Sequence, residues 1–163
     1  MKRLLIVWHS RTGAARAMAE AAANGASEES EVEVCILTAD ATTADDLLAA
    51  DGYLFACPEN LAAMSGAMKE FFDRNYYAVL EQLNGRPYAA LIAAGSDGTG
   101  AARQMARICT GWRLRAIAEP LIVGTLAQTP EAIRAEKSLN DQDLARCAEL
   151  GAAMAAGLAM GVF

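Results

Sequence analysis

The first residues in the chain that could do chemistry form a short polar loop, which directly follows an apolar run. Residues 4–8 are all apolar, which is typical of a buried strand, and spacings of three and four between apolar residues begin at Ala15, as in a helix. Such a loop offers hydroxyls and free backbone N–H groups at the positive end of a helix, where an anion is favoured. It predicts either a phosphate site or a plain strand-to-helix turn, which uses the same residue types. The candidate residues are Ser10, Arg11, Thr12, Gly13, Ala14 and Ala15.

Three phosphate chemistries can be compared with this loop. A Walker loop requires GxxxxGK[ST], and the chain contains no such string. Ser10 and Arg16 have the spacing of a phosphatase thiolate and arginine, but a serine with only His9 beside it is a poor nucleophile. A receiver domain would need an acidic pair where Trp8 and His9 stand. We therefore predict binding without a catalytic side chain, and a structural or phosphate-edge role for His9.

Two further loops follow apolar strands. The second loop comprises Pro58, Glu59, Asn60, Leu61 and Ala62, and the third comprises Gly95, Ser96, Asp97, Gly98, Thr99 and Gly100. They contain little that could act as acid, base or nucleophile, whereas glycines permit left-handed turns and keep side chains out of a ligand's path. This composition favours a flat cofactor that brings its own chemistry.

Strands that alternate with helices must position these loops. Apolar runs predict strands near residues 4–8, 32–37, 52–57, 88–94 and 117–123, with Pro58 ending the third and Pro120 interrupting the fifth. Asn24-Gly25 predicts the end of the first helix, and Asn140 the start of the last. Such alternation implies an α/β fold with a parallel sheet covered on both faces. Ligands bind beyond the carboxyl ends of such strands, where all three loops should meet.

The amino-acid composition further narrows the class of protein. A chain of 163 residues suits a single domain, residues 1–163, and its 54% apolar and 21% charged residues predict a folded core. The net charge of -6 argues against nucleic-acid binding. No stretch is long enough to span a membrane and the start lacks a cleavage pattern, so we expect a cytoplasmic protein. Four dispersed cysteines and one histidine predict reduced, buried thiols and no metal site.

The three loops together carry a family resemblance. Ser10-Arg11-Thr12-Gly13 after the first strand, Pro58-Glu59-Asn60-Leu61 with residues 64–74 after the third, and Gly95-Ser96 after the fourth resemble the flavodoxin-like FMN family. The likeness is greatest to its NAD(P)H-dependent quinone and FMN reductase branch and covers nearly the whole chain. It implies a flavodoxin-like three-layer α/β/α sandwich with a five-stranded parallel sheet in the order 2-1-3-4-5.

The resemblance also implies the site residues and two departures from the pattern. It places the FMN phosphate on the first loop and the ring system between the second and third. Where the family often has a second threonine the chain has Ala15, a loss of about 1 to 3 kcal/mol if a phosphate oxygen stays unpaired. Neither ring loop contains an aromatic residue. The ring face would then be open to a nicotinamide, unless Tyr76 or Tyr77 covers it, in one subunit or across a homo-oligomer.

The expected function follows from the resemblance. We expect an FMN-dependent oxidoreductase that passes electrons from NADPH or NADH to a quinone or similar small-molecule acceptor. The alternatives are a flavodoxin-type electron carrier, docking through the acidic segment between residues 20 and 51, and a related fold that has lost its flavin and acts through a partner. That acidic segment could also be a solvated edge.

Overall fold

The computed structural model describes residues 1–163 and contains seven strands and six helices. The strands are β1 (Lys2–Trp8), β2 (Val32–Thr38), β3 (Gly52–Asn60), β4 (Ala63–Met64), β5 (Pro87–Ala94), β6 (Arg115–Ala116) and β7 (Leu121–Gly124). The helices are α1 (Ala14–Ala26), α2 (Ala44–Ala49), α3 (Gly66–Val79), α4 (Thr99–Gly111), α5 (Pro130–Arg134) and α6 (Asp141–Met160).

The main sheet is parallel and has the expected order. Its strands run β2-β1-β3-β5, and β6 and β7 both pair with the outer side of β5. The fifth strand predicted at residues 117–123 is only partly present, as β7, and β6 lies just before the predicted range. The break between them contains Pro120, which has no N–H to donate to a ladder. The α/β fold class and the predicted order are confirmed.

Both faces of the sheet are buried. Along β1, Leu4 and Ile6 pack with α1 and α6, whereas Leu5 and Val7 face the cluster that contains α2, α3 and α4. Alternate residues of one strand therefore enter two different cores, which is why a buried parallel strand is apolar at every position. The result is a three-layer sandwich in which the carboxyl ends of the parallel strands all point to one edge.

The third strand is longer than predicted, and the expectation that Pro58 ends it is wrong. Pairing of β3 with β1 finishes at Ala56, but β3 continues opposite β5, with Pro58 beside Ala93. Beyond Ala56 one side of β3 is an edge, where a residue without an N–H is tolerated. Leu61 and Ala62, with φ of 52° and 64°, then turn the chain back into the antiparallel strand β4.

One helix boundary also differs from prediction. Helix α1 continues to Ala26, so Asn24-Gly25 lies inside its last turn. A Cβ on Gly25 would overlap the carbonyl of Ala148 in α6, and the glycine therefore serves close packing between the two helices. Helix α6 begins as predicted, because the Asn140 side chain accepts from the Asp143 N–H.

The cysteines match the expectation of unpaired thiols. All four are free, with Cys57, Cys109 and Cys147 buried and Cys35 partly so. Burial raises the pKa of the Cys57 thiol to about 12, so it is fully protonated at neutral pH. None of the six helices combines the length and the apolar character that crossing a bilayer requires.

Candidate functional site

The loops after β1, β3 and β5 meet in a cleft of about 430 Å³ at the carboxyl edge of the sheet. This volume is within the range of about 300 to 1,000 Å³ that is usual for small-molecule sites. Most of the predicted site residues line it, together with residues from a fourth segment. The lining residues are Ser10, Arg11, Thr12, Ala14, Ala15, Pro58, Glu59, Asn60, Leu61, Ala62, Ala93, Ala94, Gly95, Ser96, Thr125, Ala127, Ile133 and Lys137.

The loop after β1 is organised as an open helix start. The Ser10 hydroxyl accepts the Gly13 N–H at 3.0 Å, and Gly13 has a φ of 100°, which a side chain would disfavour. Gly13 itself lies outside the cleft lining. Helix α1 has no capping side chain and no acidic residue in its first turn. Its first N–H groups are therefore available to an anion.

The start of α4 lies nearby but is already occupied. The Glu59 carboxylate accepts the Gly98 N–H at 2.9 Å through one oxygen and the Ala101 N–H at 3.0 Å through the other. A carboxylate at this position satisfies the free donors of α4 and opposes its dipole. Of the two helix starts beside the cleft, only that of α1 remains open to a ligand anion.

The third loop contributes less to the cleft than predicted. Gly95 and Ser96 line it, but Asp97, Gly98, Thr99 and Gly100 do not. A Cβ on Gly100 would overlap the carbonyl of Ala62, and one on Gly98 would overlap the side chain of Ile122. These two glycines make room for neighbouring protein segments. Asp97 accepts the Thr99 N–H and hydroxyl within the loop itself.

A fourth segment, residues 125–137, crosses the cleft and was missed in the sequence. We call it the strap. The Thr125 N–H donates to Ala94 at 2.7 Å, and the Lys137 N–H donates to the Thr12 carbonyl at 2.7 Å, so the strap joins the ends of β5 and β1. Its local signal is Thr129-Pro130, a capping residue followed by a proline at the first position of the short helix α5. Contacts between residues more than a hundred positions apart leave no local pattern.

His9 lies at the base of the hairpin formed by β3 and β4, outside the cleft lining. Its Nδ1 atom is 2.8 Å from the Oγ of Ser65, which is fully buried. Burial, followed by repulsion from Arg11, lowers the pKa of His9 below its ordinary value. The histidine is therefore held neutral, in a structural position.

The mouth of the cleft is apolar and has no aromatic side chain in its lining. Leu61, at the tip of the hairpin, is fully exposed, and Ile133 of the strap is 54% exposed. Tyr76 and Tyr77 stand outside the lining, with their ring centroids 5.3 Å apart. Nothing within this subunit covers a flat ligand as a stacked aromatic would.

The sheet order and the anion-ready loop at its carboxyl edge define a flavodoxin-like α/β protein. Comparison of the sequence with known families gives a more specific result. The sequence model of the NADPH-dependent FMN reductase family matches residues 1–125, and the chain belongs to that family. The family that the resemblance predicted, with FMN as its cofactor, is thus confirmed.

Individual relatives agree with this assignment. A flavodoxin of Aquifex aeolicus (strain VF5) is 33% identical over 100 residues, which are 61% of this chain and 54% of that protein. A probable NAD(P)H dehydrogenase (quinone) FQR1-like 2 of Arabidopsis thaliana is 41% identical over 59 residues, which are 36% of this chain and 22% of that protein. The matches thus span about half, or less, of these relatives' lengths. A solved flavodoxin from the domain Archaea superposes with a TM-score of 0.78, at 22% identity, over 96% of this chain and 98% of that chain.

The residues present are compatible with FMN. The open start of α1 and the hydroxyls of Ser10 and Thr12 are suited to a phosphate, and no carboxylate caps that helix. Glu59, the acidic residue in the cleft lining, is bonded to α4. The remaining lining is mostly backbone and small side chains, against which a flat ring can lie.

Proposed function

We propose that this protein passes electrons from NADPH or NADH to a quinone or similar small-molecule acceptor through bound FMN. The observation that carries the proposal is the absence of an aromatic side chain from the cleft lining. An uncovered ring face leaves room for a nicotinamide and then for an acceptor at the same place. An aromatic side chain stacked on the ring would exclude both.

The chain's own residues bind and orient the cofactor. In this proposal Ser10, Thr12 and the first N–H groups of α1 hold the phosphate, and the hairpin and Gly95-Ser96 flank the ring. Bound there, FMN would supply the hydride-transfer and electron-transfer chemistry, which no side chain here could perform. No side chain in the cleft is required as a general acid or base, in keeping with the commitment of Glu59 to α4.

The test is a steady-state assay of the FMN-loaded protein. Nicotinamide oxidation is followed with NADPH or NADH, with and without a soluble benzoquinone, beside free FMN at the same concentration. We expect oxidation that depends on the quinone and exceeds the free-FMN control at least about tenfold, since positioning alone commonly contributes more than this. Rates equal to the control with both nicotinamides would contradict the proposed function.

The 33% identity to a flavodoxin favours a second candidate, a non-enzymatic electron carrier. The acidic segment would be its docking face, but several of its carboxylates are already paired within the chain. Glu20 pairs with Arg16, Glu33 with Arg3 and Asp51 with Lys2. This supports a solvated edge. A carrier would show two well-separated one-electron reduction steps and no nicotinamide oxidation, whereas a protein without flavin affinity would gain no thermal stability from added FMN.

A further inference from the structure

Lys137 is a positive charge that the strap holds against the loop after β1. Its Nζ atom lies 3.3 Å from the Thr12 hydroxyl, 3.0 Å from the Ile133 carbonyl and 2.5 Å from the Ala135 carbonyl. Its own backbone N–H donates to the Thr12 carbonyl. The side chain is partly buried, lines the cleft, and is held by three hydrogen bonds, with the backbone bond as a fourth.

All the partners of this ammonium group are neutral. Every ion pair in the structure lies elsewhere, and none includes Lys137. The adjacent start of α1 is also positive, and its first turn contains no acidic residue. The side chain of Glu136 passes beside Gly13, with its Cγ atom 3.7 Å from where a Cβ would lie. Two neighbouring positive groups repel each other, and an anion between or beside them lowers that repulsion. The arrangement is therefore best stabilised by a bound anion.

The contact with Thr12 has a second effect. A hydroxyl has one proton and two lone pairs, so when its oxygen accepts from the ammonium, its proton is free for another acceptor. The neighbouring open site at α1 would offer such an acceptor in the form of a phosphate oxygen. Lys137 thus acts on the anion through its charge and through the orientation of Thr12.

We propose that Lys137 is the cationic component of the FMN phosphate site and substitutes for the hydroxyl that Ala15 lacks. The inference rests on the proposed function only for the identity of the anion. Lys137 lies beyond residues 1–125, the part matched by the family model, so that match assigns it no role. Because it also contacts the last carbonyls of α5, a variant must be tested for a purely structural effect as well.

The experiment measures dissociation constants for FMN and for riboflavin, which lacks the phosphate. Lys137→Met keeps the aliphatic stem and removes the charge. We expect it to weaken FMN binding about tenfold or more, because the positive charge near the phosphate and the hydrogen bond that orients Thr12 are both lost, and to leave riboflavin binding unchanged. Lys137→Arg retains the charge and should stay near wild type. The loss in Lys137→Met should shrink at high salt, because salt screens the charge.

Lys2→Met is the matched control, because it removes the same charge at the amino end of β1, the opposite edge of the sheet. It should leave both dissociation constants unchanged. Equal weakening of FMN and riboflavin by Lys137→Met would mean that the lysine only shapes the strap, and unchanged FMN binding would mean that it does not contact the phosphate site. Either result overturns the inference.

Ala15→Thr in the Lys137→Met background provides a further check. If the lysine substitutes for the missing hydroxyl, the added threonine should restore part of the FMN affinity, and no restoration would count against the substitution. Failure of the proposed function is distinguishable, since it appears as missing nicotinamide turnover in a wild type that still prefers FMN over riboflavin. An intact turnover with a lysine-independent FMN preference would instead reject the inference alone.

Discussion

Two side chains of opposite charge assign different roles to the two helix starts at the cleft. Glu59 places its carboxylate on the first N–H groups of α4, whereas Lys137 approaches the loop that begins α1. The same loop chemistry, a glycine before a helix, is thus closed at Gly98 and open at Gly13. Because a glycine precedes both helices, the residue type in the loop does not decide which helix start is open to a ligand. The charged side chain that lies beside each helix start decides it.

The environment of His9 predicts how the free energy of unfolding depends on pH. Because burial and Arg11 lower its pKa in the folded chain, the unfolded chain binds the proton more readily, and stability falls as the pH drops below about 6.5 towards the folded value. Wild type should therefore lose more free energy of unfolding between about pH 7.5 and about pH 5.5 than His9→Asn, which does not titrate. Urea unfolding at the two pH values measures this. Parallel losses in the two proteins would show that His9 does not contribute.

At the scale of elements, the hairpin of β3 and β4 connects two of the three loops. It carries Glu59 to α4, it brings the Ala62 carbonyl close to Gly100, and its Met64 N–H donates to Gln104 of α4 at 2.8 Å. The ring-binding loop expected at residues 58–62 is therefore a strand extension braced against a helix. Sites on such braced elements are held more precisely than sites on free loops.

The substitution Glu59→Gln tests how much the contact between the hairpin and α4 stabilises the protein. The amide keeps the shape but weakens two charge-assisted hydrogen bonds at the start of α4, so we expect the free energy of unfolding to fall by about 1 to 3 kcal/mol. Urea denaturation provides the measurement. Glu119→Gln, at an exposed position, is the control and should change little. Equal stability of the two variants would mean that the carboxylate does not cap α4.

At the scale of the whole molecule, the phosphate loop depends on helices that pack without side chains between them. A Cβ on Gly25 would overlap Ala148, and one on Gly151 would overlap Ala22, so α1 and α6 approach backbone to backbone. Helix α6 lies beyond the family match yet supports α1, whose first turn is part of the proposed anion site. In that proposal the final helix helps to position the cofactor.

Gly151→Ala should therefore separate the two helices. We expect a loss of about 1 to 3 kcal/mol in the free energy of unfolding, as for other overpacked interiors. Gly111→Ala is the matched control, because nothing lies within 4 Å of a Cβ there. It should leave stability unchanged or raise it by up to about 1 kcal/mol, since alanine is the better helix former. Thermal unfolding of both variants against wild type gives the comparison, and a matching loss in both would refute the packing argument.

Much of this protein could be predicted from the sequence because the relevant patterns are local. The apolar runs and helical spacings predicted the alternation of strands and helices, Asn140 predicted the start of α6, and residues 10–15 predicted a strand-to-helix loop after β1. Each depends on neighbours within a few positions, where backbone geometry links residue type to structure. The strand end predicted at Pro58 was wrong because the strands that pair with β3 change along its length.

Only the tertiary structure decided which partners the charged side chains have and which backbone segments lie close together. Glu59 could have faced the cleft, Gly100 could have faced a ligand, and Lys137 had no visible relation to Thr12. Their roles depend on contacts between segments that are distant in the chain, and no periodicity or cap records such a contact. The sequence by itself determined that a polar loop and a helix start follow the first strand, and only the folded chain brought a lysine to that loop.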